Sequence, residues 1–221
     1  MKRLNLDFSK PSVQLGVFAL VALGLLGLID ALSADRIAEN RQMMLRQTLV
    51  SLLPAGCFDN DVIHDTLQIQ DERLGSPRPV TVYLARHKGN PVAVLLPVVA
   101  PDGYNGKIRL LMAVQPDGVL AGVHVLEHHE TPGLGDPIES LKSGWNRQFI
   151  GRSLTHPEEG GWRVKRDGGV FDQLAGATIT PRAVVGAVHR ALQVVRDRHE
   201  LVFNQGSTTD PVSPKRKAER P

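Results

Sequence analysis

"KIRLLMAVQPDGVLAGVHVLEH", residues 107–128, decides the fold. Two largely apolar runs, 107–115 and 119–128, flank Pro116, Asp117 and Gly118. Those three supply the fixed φ, the local side-chain hydrogen bonding and the positive φ that tight turns use, so the stretch is predicted as an antiparallel hairpin. Upstream, "PVTVYLAR" (79–86) and "PVAVLLPVVA" (91–100) read as two more strands, and "GWRVKRDGG" (161–169) as a short strand and a turn. Downstream, Val184, Val188, Ala191 and Val195 recur at spacings of four, three and four, the apolar stripe of a helix, with Arg182, Arg190 and Arg196 available for its wet side. Thr180 is a good N-cap for that helix and Pro181 suits its first position. The expected fold class is α+β: a mainly antiparallel sheet with flanking helices, preceded by one N-terminal transmembrane helix.

That transmembrane helix is read from residues 11–29, "PSVQLGVFALVALGLLGLI", which carry no charge and only two strongly polar residues, Ser12 and Gln14. With the short flank after it the run is long enough to cross about 30 Å of hydrocarbon. A cleaved signal peptide would also start basic and continue apolar, but this run exceeds the usual apolar core and "DALSADR" is a poor cleavage site. The reading is an uncleaved anchor. Lys2, Arg3 and Lys10 precede it and Arg36, Arg41 and Arg46 follow it, a near tie that leans to a cytoplasmic N-terminus. The expected organisation is a short cytoplasmic start (1–10), a transmembrane helix (11–33), a helical stalk and connector (34–78), the α+β domain (79–203) and a basic, disordered tail (204–221).

Composition excludes several classes. A net charge of +3, much of it from the terminal "SPKRKAER", is too small to imply a nucleic-acid partner. The single cysteine, Cys57, rules out an intramolecular disulfide framework and any all-cysteine metal site. His124 and His128 have the spacing of a helical metal pair, but on a strand that spacing separates them, and no metal is expected. Trp145 and Trp162 could stack on an aromatic ligand, but the core is where tryptophan usually goes, and Tyr104 is open between the same two roles. The Gly-rich runs match neither a phosphate-binding loop nor a dinucleotide fingerprint.

The chemistry concentrates in "DQLAGATITP", residues 172–181. Capping accounts for Thr180 and Pro181 but leaves Thr178 and the small residues Ala175, Gly176 and Ala177 unexplained. Small side chains let a backbone approach a bulky group, and a helix N-terminus favours an anion such as phosphate by about 0.3–1 kcal/mol. From these residues alone, capping without a ligand and a phosphate site both fit.

"DQLAGATIT" resembles the flavinylation motif of the FMN-binding domain shared by the G subunits of Rnf electron-transport complexes and the C subunits of sodium-pumping NADH:quinone reductases. "GYNGKIRLLMAV" (103–114) looks like that family's Gly-rich lead into its central hairpin, and "HETPGLGD" (129–136) like its loop beside the flavin. These segments occur in the family's order, and with the anchor they cover nearly the whole chain apart from the tail. The loop, the spacing and the short stalk look most like the Rnf protein. The resemblance implies FMN held through a phosphoester to Thr178, with Asp172, Gly176, Ala177 and Thr180 beside it and Glu130, Thr131, Gly133, Leu134 and Gly135 contributing from the loop. Ala175 departs from the family pattern, which often has Ser or Thr there.

It further implies an electron-carrying subunit without a stand-alone catalytic site, in a complex that couples electron transfer to ion translocation. The chain would be a single-pass protein of a bacterial inner membrane with its FMN domain on the periplasmic side. Its partners would be the other subunits of the complex, the membrane lipid and, during maturation, a flavin transferase that uses FAD and Mg²⁺ and releases AMP. An outside enzyme is also what the residues require, because no Ser–His–Asp or Cys–His arrangement near Thr178 would activate a neutral hydroxyl. The alternatives are the equivalent quinone-reductase subunit and a non-redox, membrane-anchored binding module of the same fold.

Overall fold

The computed structural model describes residues 11–54 and 56–204, so the expected cytoplasmic start and nearly all of the expected tail lie outside the described residues. The chain forms two compact units, Met1–Gln47 and Thr48–Pro221. Helix α1 (Pro11–Leu52) is one element of 42 residues, so the expected membrane span and stalk are continuous helix. Among the described residues no helix is long and apolar enough to cross a membrane. Within the expected span 11–33, the side chains at 12, 13, 28 and 31 are outside the described set.

The second unit is a five-stranded antiparallel sheet in simple chain order: β1 (Thr66–Ile69), β2 (Val80–His87), β3 (Asn90–Gly103), β4 (Gly106–Val114) and β5 (Leu120–Glu127). Helices α2 (Ile179–Asp197) and α3 (His199–Phe203) close it. The hairpin predicted from residues 107–128 is β4–β5, and the two upstream runs are β2 and β3. Two readings change. β1 falls inside the stretch assigned to the connector, because four residues of alternating exposure carry too little pattern to stand out. "GWRVKRDGG" makes no strand; Trp162 and Val164 are buried from a chain of tight turns, and Val164 meets Phe171 in a single isolated bridge.

Register explains the core. Val94 pairs with Val114, Leu96 with Met112, Val98 with Leu110 and Ala100 with Ile108, and alternation puts all eight on one face of the sheet. That face joins Val184, Val188, Ala191 and Val195 of α2 and the aromatic group Trp145, Phe149, Trp162 and Phe171 in one core. Leu95, Leu111 and Ala113 point the other way and are also buried, as are Leu49 and Leu53 at the end of α1. A Cβ on Gly122 would lie 3.0 Å from Leu52, which brings that end of α1 against β5. Coverage of both faces explains why β3 and β4 read as nearly continuous apolar runs.

Candidate functional site

Three segments distant in sequence meet at one end of the sheet: the β3–β4 turn, the loop after β5, and the approach to α2. Glu130 joins them. It is 4% exposed, accepts a hydrogen bond from the Asn105 backbone N–H at 3.1 Å, and accepts another from the Thr180 hydroxyl. Its own N–H donates to His128 Nδ1 at 3.0 Å. With Nδ1 accepting, Nε2 carries the ring proton and donates to Glu139 Oε1 at 2.6 Å. Gly135 is required by this packing, since a Cβ there would stand 2.9 Å from both Glu130 Cβ and the Thr180 hydroxyl oxygen.

The loop has its own support. Leu134 and Gly135 N–H groups both donate to the Thr131 carbonyl at 3.1 Å, and Gly133 donates to Asp136 Oδ1 at 2.6 Å. Burial works to raise the Asp136 carboxyl, but the Lys142 ammonium 3.1 Å away and the Gly133 N–H outweigh it and hold its pKa below the ordinary carboxylate value. Lys142 and His128 lower Glu139 in the same way. The loop is therefore fastened by ionised groups at neutral pH.

Opposite the loop, Leu174 and Ala177 close a turn with Gly176 at its third position and a φ of 76°, where a type II turn places glycine. Helix α2 then starts two residues earlier than its sequence suggests. Thr178, with backbone at φ −83° and ψ −27°, is the N-cap, and its side chain makes no capping hydrogen bond. Thr180 lies inside the first turn with its hydroxyl turned to Glu130, so a tertiary contact displaces the capping role expected for it. Pro181 is tolerated at the third helical position because the first four N–H groups lack intrahelical partners in any case.

Together these segments enclose a cleft of about 310 Å³. Tyr104, Leu134 and Ile179 give it apolar walls, and Glu130, Thr131 and Thr180 give it a polar side. Gly135, Gly176, Ala177 and Thr178 complete the lining. Of the expected site residues, all line the cleft except Asp172 and Gly133. Gly133 serves the loop through its bond to Asp136. Asp172 pairs with Lys165 at 2.6 Å, its N–H donates to Gln148 and its carbonyl accepts from Trp145 Nε1.

Thr178 is half-buried at the cleft, and Arg166 Nη1 donates to its hydroxyl at 3.4 Å. Arg166 stands twelve residues upstream, and nothing in the local sequence joins it to the motif. Tyr104 had a signal in its Gly-flanked "GYNG" setting. Trp145 and Trp162 are core residues. His124 bonds Ser140 at 3.3 Å, and among the described residues no group of three His, Cys, Asp or Glu side chains could hold a metal.

The family description "FMN-binding domain" matches residues 103–193, from the β3–β4 turn into α2, and "RnfG N-terminal region" matches residues 1–52. The G subunit of the ion-translocating oxidoreductase complex of Vibrio cholerae is 42% identical over 89% of this chain and 94% of that protein. The G subunit of Pseudomonas aeruginosa is 49% identical over 81% of this chain and 84% of its own length. That of Shewanella loihica is 43% identical over 86% and 91%. With identity at this level over most of its length, the chain belongs to the family of G subunits of ion-translocating oxidoreductase complexes and carries its FMN-binding domain.

Proposed function

We propose that the chain carries electrons through FMN joined by a phosphoester to Thr178, as the membrane-anchored G subunit of an Rnf-type complex that couples electron transfer to ion translocation. The observation that carries this reading is the contrast between two hydroxyls. Thr180 is 1% exposed and committed to Glu130, whereas Thr178 reaches the cleft, caps nothing, and sits at the N-terminus of a 19-residue helix. A phosphate there gains from the helix dipole, and the apolar walls suit a flat aromatic ring. Bound FMN would supply the electron chemistry; the protein would hold the ring, fix its phosphate and retain a cofactor that could otherwise diffuse away. Glu130, Thr131, Leu134 and Gly135 would contact it from the loop, and Gly176 and Ala177 from the turn. Asp172 and Gly133 would act through the backbone they hold.

The anchor over 11–33 belongs to the same proposal. Leu15, Phe18, Leu20, Leu23 and Leu26 are each 64% exposed or more, and they point to several sides of α1. A helix apolar all round needs lipid or protein about it. The FMN domain is assigned to the periplasmic side, with the other subunits of the complex as its partners. The C subunit of a sodium-pumping quinone reductase, the alternative raised by the sequence, has less support than the Rnf-type protein, whose N-terminal region and relatives both match.

The test is flavin fluorescence in a denaturing gel, with intact mass, after co-expression with a flavin transferase. Wild type and Thr180→Val are expected to carry one FMN and Thr178→Val none. Flavin retained in Thr178→Val would reject the acceptor, and a flavin-free wild type would reject covalent attachment.

A further inference from the structure

The tight-turn segment Lys165–Asp167 places three charged side chains beside the approach to α2. Two are matched. Lys165 pairs with Asp172 at 2.6 Å, and Asp167 receives Nε and Nη2 of Arg182 at 2.5 and 2.6 Å. Arg166 is exposed and differs: among the described residues it has no ion pair, and its guanidinium instead donates to the Thr178 hydroxyl at 3.4 Å. Its charge helps to lower the Asp167 carboxyl, but that group is already taken by Arg182. A 3.4 Å contact to a neutral oxygen is a weak use of a guanidinium, which favours two-pronged contact with carboxylate or phosphate oxygens. The segment is firmly placed, because its two neighbours are tied to Asp172 and to α2. A cation with no carboxylate in contact, held over an otherwise uncommitted hydroxyl at a helix N-terminus, describes half of an anion site whose missing half would be built on that hydroxyl.

We propose that Arg166 is the charge partner of the phosphodiester formed on Thr178. This rests on the proposed attachment of FMN and deepens it. In the transfer, the bond from Thr178 Oγ1 to the FMN phosphorus of FAD forms as the bond from that phosphorus to the AMP half breaks. AMP leaves with the electron pair, and the hydroxyl proton passes to a base of the transferase. The non-bridging oxygens of that phosphorus carry one negative charge in FAD, throughout the transfer and in the product, where they lie within reach of the guanidinium. Arg166 therefore speeds attachment and afterwards fixes the phosphate at the mouth of the cleft.

The experiment compares full-length wild type, Arg166→Lys, Arg166→Gln and Thr178→Val, treated with a purified flavin transferase, FAD and Mg²⁺. Intact mass follows the rate of loading, and ³¹P NMR reads the phosphodiester after loading is complete. Arg166→Gln is expected to load about tenfold slower or more, the scale of one lost charge-assisted hydrogen bond, with Lys largely restoring the rate. The ³¹P resonance is expected to move in the Gln variant and to return near the wild-type position with Lys. Failure of Gln to load while Lys loads also supports the proposal. Wild-type loading by Gln overturns it, and so does slow loading with an unmoved resonance, which would assign Arg166 to docking of the transferase. Loss of the underlying reading looks different: wild type then gains no mass, or Thr178→Val gains it.

Discussion

Thr178 and Thr180 are two residues apart and face different surroundings because the first ends a turn and the second begins a helix. Removing the Thr180 hydroxyl leaves a Glu130 oxygen buried without its donor, which costs about 1–3 kcal/mol. Thr180→Val is therefore expected to melt earlier while still taking up flavin, a combination that a direct role in attachment would not give. Gly135→Ala forces a methyl group against Glu130 and Thr180 and is expected to cost about 1–3 kcal/mol, read as a shift in the denaturant midpoint. An alanine variant as stable as wild type would show that the loop can yield. At this scale the sequence reveals residue types better than assignments. Its small residues and hydroxyls mark the motif around Thr178, but capping chemistry favours Thr180 as the N-cap, since its tie to a carboxylate fifty positions away is invisible locally. Arg166 is invisible for the same reason.

Among the elements, β2 to β5 are legible because apolar alternation and turn residues are local signals, and α2 because its stripe from Val184 to Val195 holds one face for about three turns. β1 is too short to announce itself. The segment 161–169 misleads because its two apolar residues are spaced like a strand yet serve a core of stacked rings. His189 of α2 stacks on Trp162, with ring centroids 5.2 Å apart and planes 15° from parallel. Burial pushes its pKa below the ordinary 6.5; Glu159 opposes the shift, and Arg190 and Arg196 add to it. The unfolded chain thus takes up a proton that the folded chain refuses. Stability is full above the ordinary value and falls as the pH drops from about 7 towards 5. His124, also lowered by burial, adds to the same slope. His189→Phe is expected to flatten the dependence of Tm on pH across that window, and an unchanged slope would remove His189 from the cause.

On the scale of the whole molecule, composition separates the apolar helix from the mixed domain, but where the domain begins is not legible. Leu49 and Leu53 are buried in the second unit although they belong to the same helix as the apolar run or directly follow it. A chain beginning at Thr48 is expected to remain in the soluble fraction and melt like the intact domain, while the full chain sediments with membranes. Shortening it further to Pro54 removes two buried leucines, each worth about 2–5 kcal/mol when cut to alanine, and is expected to leave a poorly folded product. A full-length chain recovered in the soluble fraction would count against the anchor.

The strands lie side by side in the order in which they are synthesised, yet the cleft draws its last wall from residues 176–180, close to the end of the described chain. A nascent polypeptide delivered N-terminus first would complete its sheet well before it had anywhere to seat a pigment. Under the proposed attachment, yellow colour would count finished molecules. A premature stop ahead of α2 would yield a colourless product, however well its strands had paired.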